Sequence, residues 1–478
     1  MKAPNLLPRV ALVAAGVAFP PDETWALQAG LPQPEQVREF LDSFMPAAMQ
    51  RYHIPGAAVS FVRGDQVALT RSYGVAERET GRSVTAETPF RVASVSKTLT
   101  AAALMRLVQR GDLTLETDVS RVLKRLQLRG DARGVVTLAH LLTHTAGLDE
   151  QRSLDRAVSP SAAEPLGAYL KRRMPARVMP PGVVISYSNF GYALLANIVE
   201  EVSGQLFPEF VQREVFAPTG MLRSTFDQLR PPNDLARGYD YRDGVYHLKP
   251  FRYDNAIGDG ALMTTAADMG RFLAMLLSRG ELHGTRVLSD SSVTLMLTRR
   301  FTNHPGLPGM CLGLYESFRN GHRVVMHEGS MDEGFESLLF LIPDARMGLF
   351  LVYNQANSNL RIDLMRDFFD RFFPGSQALP APPTTAYRLD LWAGEYGHIR
   401  HPRSIPQRWV VPREKVVVTT DNGALRIAFS GASTARWIPI ADDLFRREDS
   451  DRLIAFRRDE QGRPAYLFLG IDAYERLR

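Results

Sequence analysis

Cysteine is all but missing from this 478-residue chain: Cys311 stands alone, which rules out an intrachain disulfide, a multi-cysteine zinc site and a Cys-x-x-Cys redox pair. A single thiol of this kind belongs in a core. Lysine is scarce too, six residues among the 57 basic ones, so a lysine that falls into a chemical pattern carries weight. Gly-x-Ser-x-Gly does not occur, which removes the nucleophile elbow of an α/β-hydrolase. Neither does His-Glu-x-x-His, which removes the usual helical zinc-hydrolase site. Beyond the N-terminus no apolar run reaches the roughly 20 residues that span a bilayer, and no segment repeats at a solenoid period.

What is present is ordinary in bulk. A hydrophobic fraction of 45% and a charged fraction of 23% are those of a globular protein. The length exceeds what one core usually serves, so one large domain and a smaller one are expected. The net charge of +5 comes from scattered arginines with no recognisable module, and nucleic-acid binding is not expected. Lys2 and Arg9 precede an apolar stretch at residues 10–19 that ends in small residues around Gly16. This is the pattern of a secretory signal, so residues 1–29 are assigned as a signal peptide or disordered N-terminus. The protein is then expected to be periplasmic or secreted, with no membrane span in the mature chain.

Residues 57–62 and 67–73 are β-favouring runs joined by Arg63-Gly64-Asp65, a hairpin signal. Residues 337–342 and 347–353 flank Pro343-Asp344-Ala345-Arg346, a second one. After it, Ile362, Met365, Phe368, Phe369 and Phe372 recur at helical spacing, predicting an amphipathic helix that covers the sheet. Between the hairpins the chain reads mostly helical, starting with residues 94–111, apolar nearly all round and stopping at Gly111, a C-cap. That order predicts an α+β fold over residues 35–373: an antiparallel sheet flanked by helices, with an inserted helical lobe. Residues 374–386 are proline-rich and read as a linker. Residues 387–478 hold short β-favouring runs separated by turn signals, predicting a small all-β barrel-like domain.

Three elements carry chemistry. In Ser94-Val95-Ser96-Lys97, a serine at a helix start faces a lysine one turn on. With six lysines, Ser-x-x-Lys is expected by chance about 0.3 times, and the single match falls where a helix begins. Next comes Tyr187-Ser188-Asn189, before another apolar stretch; the phenol suits proton relay and Asn189 suits a substrate amide. The third is His327-Glu328-Gly329-Ser330, following a β-favouring run. Gly329 leaves room for substrate along a strand edge, and the Ser330 N–H is placed as an oxyanion donor. His140 and His144 are four apart, a spacing compatible with zinc, although a structural role is preferred.

Together these elements, with His53-Ile54-Pro55-Gly56-Ala57, Leu141-Leu142-Thr143-His144-Thr145-Ala146-Gly147-Leu148 and the segment 258–268, resemble the penicillin-binding-protein-like serine hydrolases: serine β-lactamases, D-Ala-D-Ala peptidases, D-aminopeptidases and related esterases. The resemblance implies Ser94 as nucleophile, Lys97 and Tyr187 as the base system, and the N–H groups of Ser94 and Ser330 as the oxyanion hole. It implies no cofactor and no metal. Many relatives carry Lys where this chain has His327, and a neutral imidazole holds a substrate carboxylate less strongly. Hydrolysis of a small peptide or ester, of the D-amino acid peptidase or esterase type, is therefore favoured. The alternatives are a β-lactamase and a penicillin-binding sensor or pseudoenzyme without turnover. Any preference for anionic substrates is expected to weaken as pH rises through the His327 titration. The β domain resembles those appended to D-aminopeptidases, and a homo-oligomer is compatible with it.

Overall fold

The computed structural model describes residues 30–150, 156–375, 387–404, 412–431 and 433–477. The expected signal segment and residues 376–386 of the expected linker lie outside them.

The first predicted hairpin forms β1 (Gly56–Arg63) and β2 (Gln66–Glu77), turning at Gly64 with φ 62°. A short β3 (Arg82–Ser83) follows, and four strands from the second half of the chain complete the sheet: β4 (Tyr315–Arg319), β5 (His322–Met331), β6 (Phe335–Ile342) and β7 (Met347–Tyr353). The seven strands run in the order β4-β5-β6-β7-β1-β2-β3, with every pairing antiparallel. β1 pairs with β7, so the two hairpins join at the sheet centre.

Side-chain alternation divides the two faces. Ala57, Val59 and Phe61 of β1 face α1 (Pro34–Tyr52) and α5 (Leu360–Phe372), whereas Ala58 and Val62 face the helical lobe. That lobe contains α2 (Ser96–Arg110), α3 (Asn189–Ser203) and α4 (Ala266–Leu277). In α5, Met365, Phe368 and Phe369 are buried as predicted, but Ile362 is 53% exposed. Leu360 and Leu364 extend the buried stripe on one side, and at about 100° per residue Ile362 falls just beyond its opposite edge. Each buried phenylalanine contributes roughly 1.5–3 kcal/mol, enough for α5 to clamp the sheet. Gly111 caps α2 in the left-handed region, φ 81°. Cys311 is buried, its thiol pushed up to about 12 by burial.

Eight strands, from Gly394–His398 to Asp472–Arg476, close into a barrel. Its interior is filled by Trp392, Tyr396, Trp437, Phe445 and Phe456 with aliphatic side chains between them, so it is a packed core. The barrel rests on the preceding domain through Met179, Val184 and Leu307 against Ile399, Phe468 and Ala473. Buried Asp149 accepts N–H groups from Arg403 and Ser404 at 3.0 and 2.8 Å. Among the described residues no helix is long and apolar enough to cross a membrane.

Candidate active site

Ser94 does not open an α-helix. It lies in a 3-10 turn, Ala93–Val95, and α2 begins at Ser96. Ala93 has φ 48°, a left-handed conformation that costs an alanine about 1 kcal/mol, and this bend holds Ser94 ahead of the helix axis. Ser96 Oγ donates to the Ala93 carbonyl at 2.6 Å and accepts from Leu262 N at 3.1 Å, while Ser337 Oγ donates to the Val92 carbonyl at 2.7 Å. The strain is thus held by hydrogen bonds beside a half-exposed hydroxyl. Ala93→Gly is expected to leave the melting temperature within a few degrees while lowering kcat, because glycine removes strain and restraint together. Unchanged ester turnover would show that the hydrogen bonds alone hold the turn.

Lys97 is fully buried, and its Nζ donates to Ser94 Oγ at 3.0 Å and to the Asp259 carbonyl at 2.7 Å. The amine also lies 5.1 Å from the Tyr187 ring centre and 5.7 Å from that of Tyr192. Burial and the neighbouring Asp254 push the Asp259 carboxyl well up, toward its neutral form, so this carboxyl competes little for the amine.

Tyr187 precedes α3, with Ser188 as N-cap accepting from Gly191 N at 3.1 Å and Asn189 as the first helical residue. Its ring stacks on His144 at 4.2 Å between centres, and the Arg400 guanidinium of the barrel lies 5.1 Å from the ring centre. His140 turns away to the Thr137 cap, so the two histidines do not converge. Among the described residues no group of three or more His, Cys, Asp or Glu is arranged to hold a metal ion.

β4 pairs with β5 only as far as Met326, so the β5 edge from His327 to Met331 is left open on that side. Ser330 lies opposite Glu336 of β6 and is exposed. Gly329 serves a purpose other than the expected one. A Cβ there would fall 2.3 Å from the Val92 carbonyl and 2.4 Å from Ser337 Oγ. The glycine admits the turn that carries Ser94, and not substrate.

His327 departs from expectation as well. It is buried, with Nδ1 2.7 Å from the Glu328 carbonyl and, among the described residues, no partner at Nε2. Burial, reinforced by Lys97, pushes the imidazole down to about 3. It stays neutral across the working range, so the expected titration is displaced out of it. Preference for anionic over neutral substrates should be flat between about pH 5 and pH 8; a change that vanishes in His327→Gln would contradict this. The unfolded imidazole takes up a proton below 6.5 and the folded one only near 3. Stability therefore falls as pH drops through that window, and His327→Gln should lose less melting temperature on acidification.

Tyr187, Asn189 and His327 line one side of a cavity of about 640 Å³ between the lobe and the barrel, with His398, Arg400 and Tyr474 on the other; Ser94, Lys97, Gly329 and Ser330 are not among its lining residues. Arg400 pairs with Glu150 at 2.7 Å. The sequence held no signal for these barrel residues, since Arg400 lies 250 positions from its partner.

A family model described as Beta-lactamase matches residues 41–368. Penicillin-binding protein 4 of Amycolatopsis lactamdurans is 34% identical over 266 residues, covering 52% of this chain and 67% of that protein. The chain spans between 62% and 67% of the length of the first curated relatives it matches. The crystal structure of SurE covers 93% of this chain and 100% of its own at 26% identity, TM-score 0.66, and SurE has also been solved with D-Leu. The octameric penicillin-binding protein homologue of Pyrococcus abyssi shares the fold at 22% identity, TM-score 0.62, covering 91% of this chain and 99% of its own. The chain belongs to the Beta-lactamase family, as a serine hydrolase of the penicillin-binding-protein-like superfamily.

Proposed function

We propose that this protein forms an acyl-enzyme on Ser94 and hydrolyses a D-amino acid peptide or a small ester. The observation that carries the reading is the 3.0 Å hydrogen bond between Ser94 Oγ and the buried Lys97 amine. Ser94 Oγ attacks the carbonyl carbon and its proton passes to the Lys97–Tyr187 pair. The oxyanion is met by the N–H groups of Ser94 and Ser330. The leaving amine or alcohol departs with a proton from the same pair, and water then releases the acid and restores the serine.

Two features favour this substrate class over β-lactams. His327, which is neutral, takes by resemblance the motif position at which many relatives carry a cation, and Arg400 is engaged by Glu150. SurE, a structural neighbour, has been solved with D-Leu, which supports a D-configured residue as the substrate class to test. Export to the periplasm or medium rests on residues 1–29, and the octameric homologue makes a homo-oligomer the assembly to test by light scattering.

A fluorophosphonate probe, followed by mass spectrometry and a panel of D-amino acid amides, short esters and a chromogenic cephalosporin, tests the reading. Labelling at Ser94 with steady turnover of amides or esters is expected. A labelling burst without turnover would identify a sensor, and a cephalosporin hydrolysed faster than every ester would identify a β-lactamase.

A further inference from the structure

His144 is bonded to the segment carrying Tyr187 on both sides of that residue. Its carbonyl accepts from Ser186 N at 2.8 Å and its Nδ1 accepts from Ser188 N at 3.0 Å. Between these two anchors its ring lies against the phenol, 4.2 Å between centres and 28° between planes, and it also touches Tyr192 at 5.0 Å. The backbone at His144 is left-handed, φ 56°, a conformation a branched or bulky residue adopts at a cost. A purely space-filling ring would need neither this backbone nor an acceptor nitrogen.

The tautomer follows from the geometry. Nδ1 receives an N–H, so it carries the lone pair and the proton sits on Nε2, which is buried with no partner among the described residues. Burial and the nearby Lys97, His327 and Arg400 hold the imidazole well below its usual range, and it stays neutral. A neutral acceptor is what the Ser188 N–H requires, since an imidazolium would present two donors.

We propose that His144 is a positioning residue for Tyr187: through Nδ1 it fixes the backbone after the tyrosine, and through its ring it fixes the plane of the phenol beside Lys97. This rests on the reading of Tyr187 as part of the base system. The residue reaches no reacting atom, so its effect passes through Tyr187, and misplacing a relay group by about 1 Å costs on the order of a hundredfold.

A double-mutant cycle separates the two ideas. His144→Phe keeps an aromatic face and loses the acceptor; His144→Asn keeps an acceptor and tolerates the left-handed backbone. With a nitrophenyl ester, His144→Phe is expected to lower kcat by about 10–100-fold with KM changed less than about threefold. His144→Asn is expected to recover to within about fivefold of wild type. On a Tyr187→Phe background, His144→Phe should lower kcat no further. Equal losses on both backgrounds, or a lowered melting temperature with kcat retained, would overturn the proposal. If Tyr187→Phe alone keeps wild-type kcat, the reading of Tyr187 has failed, and that result is visible without any His144 variant. Should phenylalanine at the left-handed position prevent folding, His144→Ala on the same two backgrounds gives the same cycle.

Discussion

Ser94→Ala is expected to abolish covalent labelling and to lower kcat/KM by at least about a thousandfold, with the melting temperature unchanged to within a few degrees. The loss is large because every later step depends on the acyl bond that Oγ forms. The fold should tolerate the change: Ser94 is half-exposed, and the Lys97 amine keeps its 2.7 Å bond to the Asp259 carbonyl. Stability and activity therefore separate cleanly. A Ser94→Ala protein that still turns over esters at the wild-type rate would place the nucleophile elsewhere and sink the assignment.

Gly329→Ala should produce the second-largest effect, and here the two quantities fall together. The added methyl would lie 2.3 Å from a backbone oxygen and 2.4 Å from Ser337 Oγ, and Ser337 Oγ itself braces the Val92 carbonyl. Backbone cannot rotate away as a side-chain tip can, so strand and turn must part by about 1 Å. The strain is expected to cost roughly 2–3 kcal/mol, and the displaced turn should lower kcat by on the order of a hundredfold. Chemical denaturation and ester hydrolysis measure the two. A variant that keeps wild-type kcat would show that the turn is held independently of β5.

Much of this was written locally. Both hairpins, α2 with its Gly111 cap and α5 follow from periodicity and turn residues within a few positions of one another. The order of those elements and the turn signals after residue 387 predicted the antiparallel sheet, the inserted lobe and the β barrel. Ser94 and Lys97, three residues apart, needed only a helical rise to meet. Tyr187 and the His327–Ser330 strand were legible by resemblance, and the fold brings Tyr187, Asn189 and His327 to one cavity.

The tertiary structure decided the rest, because it depends on atoms distant in sequence. Ala93 bends left-handed because Ser96 and Ser337 hold its neighbourhood, and no local propensity asks an alanine to do so. Gly329 is required by the Val92 carbonyl, which lies far away along the chain, so its purpose was misread as space for substrate. His327 is a titrating histidine by composition, but burial pushes its protonation down to about 3. Arg400 reaches the Tyr187 ring because the barrel docks on the lobe through Asp149, Glu150 and the apolar contacts of Met179, Val184 and Leu307. Spacing along the chain decided which groups this protein possesses; close packing between remote segments decided their charge, their strain and their neighbours, since desolvation and contact act through space.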